Sequence, residues 1–93
     1  MGKIIYEVWV LGYNKDDMAT DFDESLLETE NPSIAIDYAE QLDSFDAIFH
    51  ELGEDLKQFH HDGDYYEVRV EELHEETMFE CCEDLIYSQF VYN

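Results

Sequence analysis

The chain reads as an α+β domain: an antiparallel sheet of three to four strands with two helices packed on one of its faces. Three observations point there. A run of β-branched and aromatic residues opens the chain, capped segments with helical spacing fill its middle, and strict alternation returns toward its end. Strands grouped apart from helices mark an α+β arrangement rather than repeated βαβ units.

Lys3 to Tyr13 is the first strand. Ile5, Trp9 and Leu11 share one face with Glu7, while Ile4, Tyr6, Val8 and Val10 share the other. Both faces are mostly apolar, which predicts a central strand covered on both sides. Asn14 to Asp17 is a polar turn, and Thr20, Phe22 and Leu26-Leu27 suit a short second strand between Met18 and Glu30. Asn31-Pro32 then starts a helix, since Asn is a favoured N-cap and Pro at the first helical position sacrifices no hydrogen bond. Ile34, Ala35, Tyr38, Ala39 and Leu42 recur on its apolar face, with Asp37, Glu40 and Gln41 opposite.

Asp43 or Ser44 caps a second helix whose apolar stripe is Phe45, Ile48, Phe49 and Leu52, with Gly53 as its stop. Leu56 and Phe59 extend that packing irregularly, and His60-His61-Asp62-Gly63-Asp64 is a turn. From Tyr65 to Leu73, Tyr66, Val68 and Val70 face the core while Glu67, Arg69 and Glu71 face water. His74 to Thr77 is a polar turn. Phe79 to Tyr92 forms one or two further strands, bulged or kinked at Glu83-Asp84, in an antiparallel hairpin with the preceding strand. The order is β, a short second β, α, α, β, β, in one domain over residues 1–93.

With 45% hydrophobic and 15% aromatic residues, this is no disordered acidic tail. Disordered acidic chains lack the apolar side chains that offset ordering entropy. A chain of this size buries about two-thirds of its unfolded surface, enough to fold without disulfides. No apolar run approaches the roughly 18 residues of a membrane span. Met1-Gly2-Lys3-Ile4-Ile5-Tyr6 has neither a secretory h-region nor the Ser or Thr of a myristoylation signal. Cys81 and Cys82 are adjacent, and neighbouring Cα atoms about 3.8 Å apart fall short of disulfide geometry. A reducing cytoplasm is the expected compartment.

Charge is the outlier. Twenty-five Asp and Glu against Lys3, Lys15, Lys57 and Arg69 leave −21 with neutral histidines. Nucleic acid and anionic membranes are polyanions, so direct binding to either is excluded as a working reading. Cationic partners remain: a basic protein surface, or metal ions.

Catalytic signatures are missing. Gly2, Gly12, Gly53 and Gly63 form no phosphate-cradling loop, and no serine sits in a nucleophile elbow. A calcium loop begun at Asp21 would place Leu26 where glycine is required. With so many acids, close carboxylate pairs arise by chance and carry no information about acid–base chemistry. The chain is therefore read as non-enzymatic. Zinc ligation by His60 or His61 with Cys81 or Cys82 is a third reading. Adjacent strand residues point to opposite faces, whereas metal-binding cysteines are usually spaced C-x₂₋₄-C. Neither a metal site nor a cofactor is expected.

The acids fall into three groups. The loop group holds Asp16, Asp17, Asp21, Asp23, Glu24, Glu28 and Glu30, and the helical group Asp37, Glu40, Asp43, Glu51, Glu54 and Asp55. The hairpin group holds Glu67, Glu71, Glu72, Glu75, Glu76, Glu80, Glu83 and Asp84. The candidate partner-binding residues are Asp16, Asp17, Asp21, Asp23 and Glu24 from the loop, with Glu67, Glu71, Glu72, Glu75 and Glu76 from the hairpin. Spread evenly, the net charge amounts to about one per 270 Å² of surface. A DNA duplex carries about one per 110 Å², a density reached here if the charge gathers on about 40% of the surface. Solubility in a small domain is served by a net charge of about 2–8, so a function that uses the excess is the simplest explanation.

In size, in its 25 acids and in aromatics set among carboxylates (Tyr65-Tyr66-Glu67, Asp21-Phe22-Asp23-Glu24), the chain resembles the small acidic inhibitors of phages and mobile elements. Those DNA mimics occupy the nucleic-acid site of restriction, CRISPR or repair proteins. The resemblance is compositional over the whole chain and implies a basic, nucleic-acid-binding protein surface as partner. Tyr13, Tyr65 or Tyr92 would stack on partner arginines. The alternative is an accessory interaction domain of a mobile element or host, whose charge is a solvated shell. In either case repulsion among the acids is screened by salt, so the melting temperature rises from low to moderate ionic strength. A flat profile in a thermal-melt series would show the charges to be internally compensated.

Overall fold

Lys3–Tyr13 (β1) is the strand on which the sheet is assembled, pairing antiparallel with a neighbour on each side. The computed structural model describes residues 3–14, 20–53, 63–75 and 81–93. After β1 come Thr20–Thr29 (β2), Pro32–Gln41 (α1), Phe45–Leu52 (α2), Tyr65–Glu75 (β3) and Cys81–Tyr92 (β4). The sheet order is β2-β1-β3-β4, with every adjacent pair antiparallel. This is the expected α+β architecture in the expected order.

Both helices lie on one face of the sheet. Val8 and Val10 of β1 pair with Val70 and Val68 of β3, and all four are fully buried. Ala35 and Ala39, one turn apart and equally buried, let α1 lie close over these valines. α2 contributes Phe45 and Ile48, and the Phe45 ring sits 4.3 Å from that of the buried Tyr66. Burial pushes the Tyr66 hydroxyl up to about 12, so it stays protonated in the core. Where Phe22 of β2 crosses β1, Gly12 is required: a Cβ there would collide with the Phe22 ring.

The helix ends are fixed as their sequences dictate. Asn31 Oδ1 accepts from the Ser33 and Ile34 amides at 2.9 and 3.4 Å, and Ser44 Oγ accepts from the Ala47 amide at 3.1 Å. Gly53 ends α2 at φ 87°, a conformation that favours glycine. From β4, Gln89 Nε2 donates to the carbonyls of Ala39 and Leu42 at 2.9 and 3.1 Å, tying the end of α1 to the sheet. The Tyr38 hydroxyl donates to Glu51 at 3.0 Å and joins the two helices; burial first, then this carboxylate, pushes it up to about 12.

Several expectations need correction. β1 is central, but among the described residues helices cover only one of its faces; Trp9 and Leu11 stay half-buried on the other. Ile34, placed on the apolar face of α1, is 51% exposed, because α1 meets the core through Ala35, Ala39 and Leu42, with Tyr38 partly buried beside them. β2 is a full ten-residue strand, since pairing along β1 sustains it beyond its weak local propensity. β3 runs on through His74 and Glu75 rather than turning there. The hairpin irregularity falls between Val70 and Glu71, where Ile86 is the extra residue, and not at Glu83-Asp84. Leu56, Phe59, His60, His61, Asp62 and Phe79 lie outside the described residues.

The two isoleucines assigned to helix stripes separate by burial. Ile48→Ala at a fully buried position should destabilise by about 2–5 kcal/mol. Ile34→Ala should stay within about 0.5 kcal/mol in urea titration. Equal losses would contradict the packing described.

Candidate protein-binding face

The face of the sheet opposite the helices is built in rows by the strand register. Residues directly opposite one another in an antiparallel pair share a face, so each row can be read across four strands. Tyr13, Tyr65 and Tyr92 form one end. Next come Asp23, Leu11, Glu67 and Phe90, then Ser25, Trp9, Arg69 and Ser88. The following row is Glu28, Glu7, Glu71 and Leu85.

That last row is electrostatically unusual. Glu7 on the central strand has a glutamate directly across from it on both sides, and strands lie only about 4.8 Å apart. Like charges directly opposite are destabilising. Ser25 Oγ donates to Glu7 at 3.3 Å, and Arg69, with Nε 3.9 Å from Glu67, is the cation of the neighbouring rows. Glu7, Trp9, Leu11, Asp23, Arg69, Glu71 and Leu73 line a shallow concavity of about 340 Å³. Beside it lies the aromatic end, where Tyr13 and Tyr65 stack at 4.9 Å and the Tyr13 hydroxyl donates to Glu67 at 3.0 Å. Tyr92 approaches Tyr65 at 5.5 Å and remains 66% exposed. Of the three tyrosines expected to stack on arginine, it is the one with its ring most open.

The fold divides the candidate residues. Asp23, Glu67 and Glu71 share the open face, but the Glu67 side chain, expected to face water, is only 12% exposed because Tyr13 and Arg69 enclose its carboxylate. Glu24 and Glu72 fall on the helix side, at positions opposite Val10 and Tyr6. Asp21 and Glu75 lie on β2 and β3, while Asp16, Asp17 and Glu76 are outside the described residues. Glu7 and Glu28 belong to the face but were absent from the candidates; the available signal was an acid in the middle of an otherwise apolar strand. Acids also cover the outer side of the helices, where Asp37, Glu40, Asp43, Asp46 and Glu51 are exposed. Carboxylates therefore occupy both sides of the molecule, in register on one and scattered on the other.

One group of metal-ligating types lies outside this face. Ligand atoms of Glu72, His74 and Asp84 all fall within 4.8 Å of one another on the β3–β4 hairpin. A nitrogen and two carboxylates are donors that suit a divalent cation. Two of the three are already engaged with each other: His74 Nε2 contacts Glu72, which also accepts from the Tyr6 hydroxyl. These bonds hold the Glu72 carboxyl below its usual range, and burial together with Glu72 raises the Tyr6 hydroxyl. The zinc set of His60 or His61 with Cys81 or Cys82 involves side chains outside the described residues.

No helix among the described residues is long and apolar enough to cross a membrane. No protein-family model, no curated protein and no solved structure matches this chain.

The Glu28–Glu7–Glu71 row carries its own prediction. Glu7→Gln keeps the bond from Ser25 and removes two like-charge oppositions, so stability at low salt should rise by about 0.2–1 kcal/mol. The gain should shrink as salt is added; a loss of stability in the melting curves would mean the row is held by a compensating cation.

Proposed function

We propose that this chain is a non-enzymatic acidic binding protein that occupies the basic, nucleic-acid-binding surface of another protein in the cytoplasm. A CRISPR or restriction nuclease is the most concrete partner class. The carrying observation is the open sheet face, where Glu7, Glu28 and Glu71 stand in one row, with the exposed Asp23 two rows away. Carboxylates set by strand register are fixed relative to one another before binding, as phosphates are on a duplex. Such preorganisation spares the entropy of gathering them at the moment of association. The neighbouring aromatic row supplies ring faces for guanidinium groups, Tyr92 foremost. Such a surface steers a basic groove toward it and competes with nucleic acid for the same lysines and arginines.

A second reading draws on the scattered acids outside α1 and α2. They support an accessory interaction domain whose charge is chiefly a solvated shell.

Competition separates the two. A labelled DNA duplex bound to each of a panel of Cas9-type and restriction nucleases is titrated with the chain, and displacement is read by anisotropy. Displacement should occur with at least one nuclease and weaken steeply between about 50 and 200 mM salt. The triple substitution Glu7→Gln, Glu28→Gln, Glu71→Gln should abolish it, while Asp37→Asn, Glu40→Gln, Asp43→Asn should not. Displacement lost only with the helix set, or absent throughout the panel, would overturn the proposal.

A further inference from the structure

β2 and β4 are the two edges of the sheet, and they are protected differently. An edge strand offers unpaired N–H and C=O groups to any passing strand, and charges, prolines and bulges are the usual defences. β2 has them: Asp21, Asp23, Glu24 and Glu28 lie along it, and its pairing with β1 is interrupted twice. β4 has them only in its first half, as Glu83, Asp84 and the bulge at Ile86, and none from Tyr87 onward. From Leu85 to Asn93 there are nine residues without a charge or a proline, in a chain that is 31% charged. Pairing with β3 is regular from Tyr87 to Tyr92, so this stretch is straight and ladder-ready. Among the described residues, Leu85, Ile86, Phe90 and Tyr92, exposed by 49, 38, 51 and 66%, account for most of the large exposed apolar side chains.

We infer that the outer edge of β4 pairs antiparallel with β4 of a second copy of this chain, joining two four-stranded sheets into one of eight. The occupant is identified by charge. Two molecules at −21 repel each other over most of their surfaces, and the uncharged strand is where they meet without facing carboxylates. A basic partner would instead select the acid-bearing faces. Antiparallel self-pairing is isologous, as a two-fold dimer requires. Centred on Gln89, it sets Ser88 across from Phe90, puts the Ile86 bulge at the margin of the ladder opposite Tyr92, and leaves Glu83 and Asp84 beyond the paired residues. Gln89 is held on the helix side by its bonds to Ala39 and Leu42, which fixes the middle of the strand before it pairs. The dimer sets the two open faces side by side. It does not rest on the proposed nuclease partner.

Sedimentation equilibrium of the full chain, taken to about 0.2 mM, tests it. A species of twice 11.1 kDa is expected, and its association should tighten between about 0.05 and 0.5 M salt as repulsion is screened. Binding to a basic surface weakens over the same range, so the two proposals fail separately. Ser88→Glu adds a charge at the centre of the pairing and should weaken dimerisation at least about tenfold; Glu24→Gln on the other edge should not. Amide hydrogen exchange needs no substitution: Leu85 to Tyr92 should gain protection as protein concentration rises, and β2 should not. A monomer throughout, a dimer indifferent to Ser88→Glu, or concentration-dependent protection confined to β2 would overturn the inference.

Discussion

The structure depends on the packing of Val8 and Val10 of β1 between the valines of β3 and the alanine line of α1. β1 is the only strand that joins β2 to the β3–β4 hairpin, and its buried face is where α1 and the sheet meet. The buried set contains no charged residue among those described, so the core contributes apolar burial alone and the surface takes all the repulsion. A chain at −21 holds together because none of its described charged residues is buried in the core, while its attractions are short-ranged and interior.

That division explains the character of the open face. A strand buried on one side only must still carry side chains on the other, and a central strand has neighbours at about 4.8 Å on both sides. Apolar residues there (Trp9, Leu11, Leu73) would be the stabilising choice, and they occupy part of it. Glu7 set between Glu28 and Glu71 opposes stability. The row stands on the central strand, where pairing on both sides fixes its geometry.

Much of this was legible residue by residue. Asn31-Pro32, Ser44 and Gly53 specify their helix ends through local hydrogen bonding and backbone geometry, which need no tertiary context. Tyr66, Val68 and Val70 announce their burial by alternation. The site was legible only in part. Glu67 and Glu71 stand out as the polar phase of that alternation, yet Glu72, their neighbour in sequence, faces the other side with Tyr6 and His74. Glu7 was hidden by the apolar residues around it, and Ile34 looked like core because periodicity marks a stripe without saying how wide the covering surface is.

By itself, then, the sequence determined the element order, the caps, the buried valines and a net charge of −21. Those follow from local propensity, periodicity and composition, each a property of a short stretch or of a sum. Only the tertiary structure decided which face of β1 is covered, that β2 and β4 are the edges, and that Glu28, Glu7 and Glu71 stand in one row. The three glutamates are far apart in the chain, and their adjacency is a matter of register. Register is set by pairing across the whole sheet, and a shift of one residue would send each of them to the opposite face.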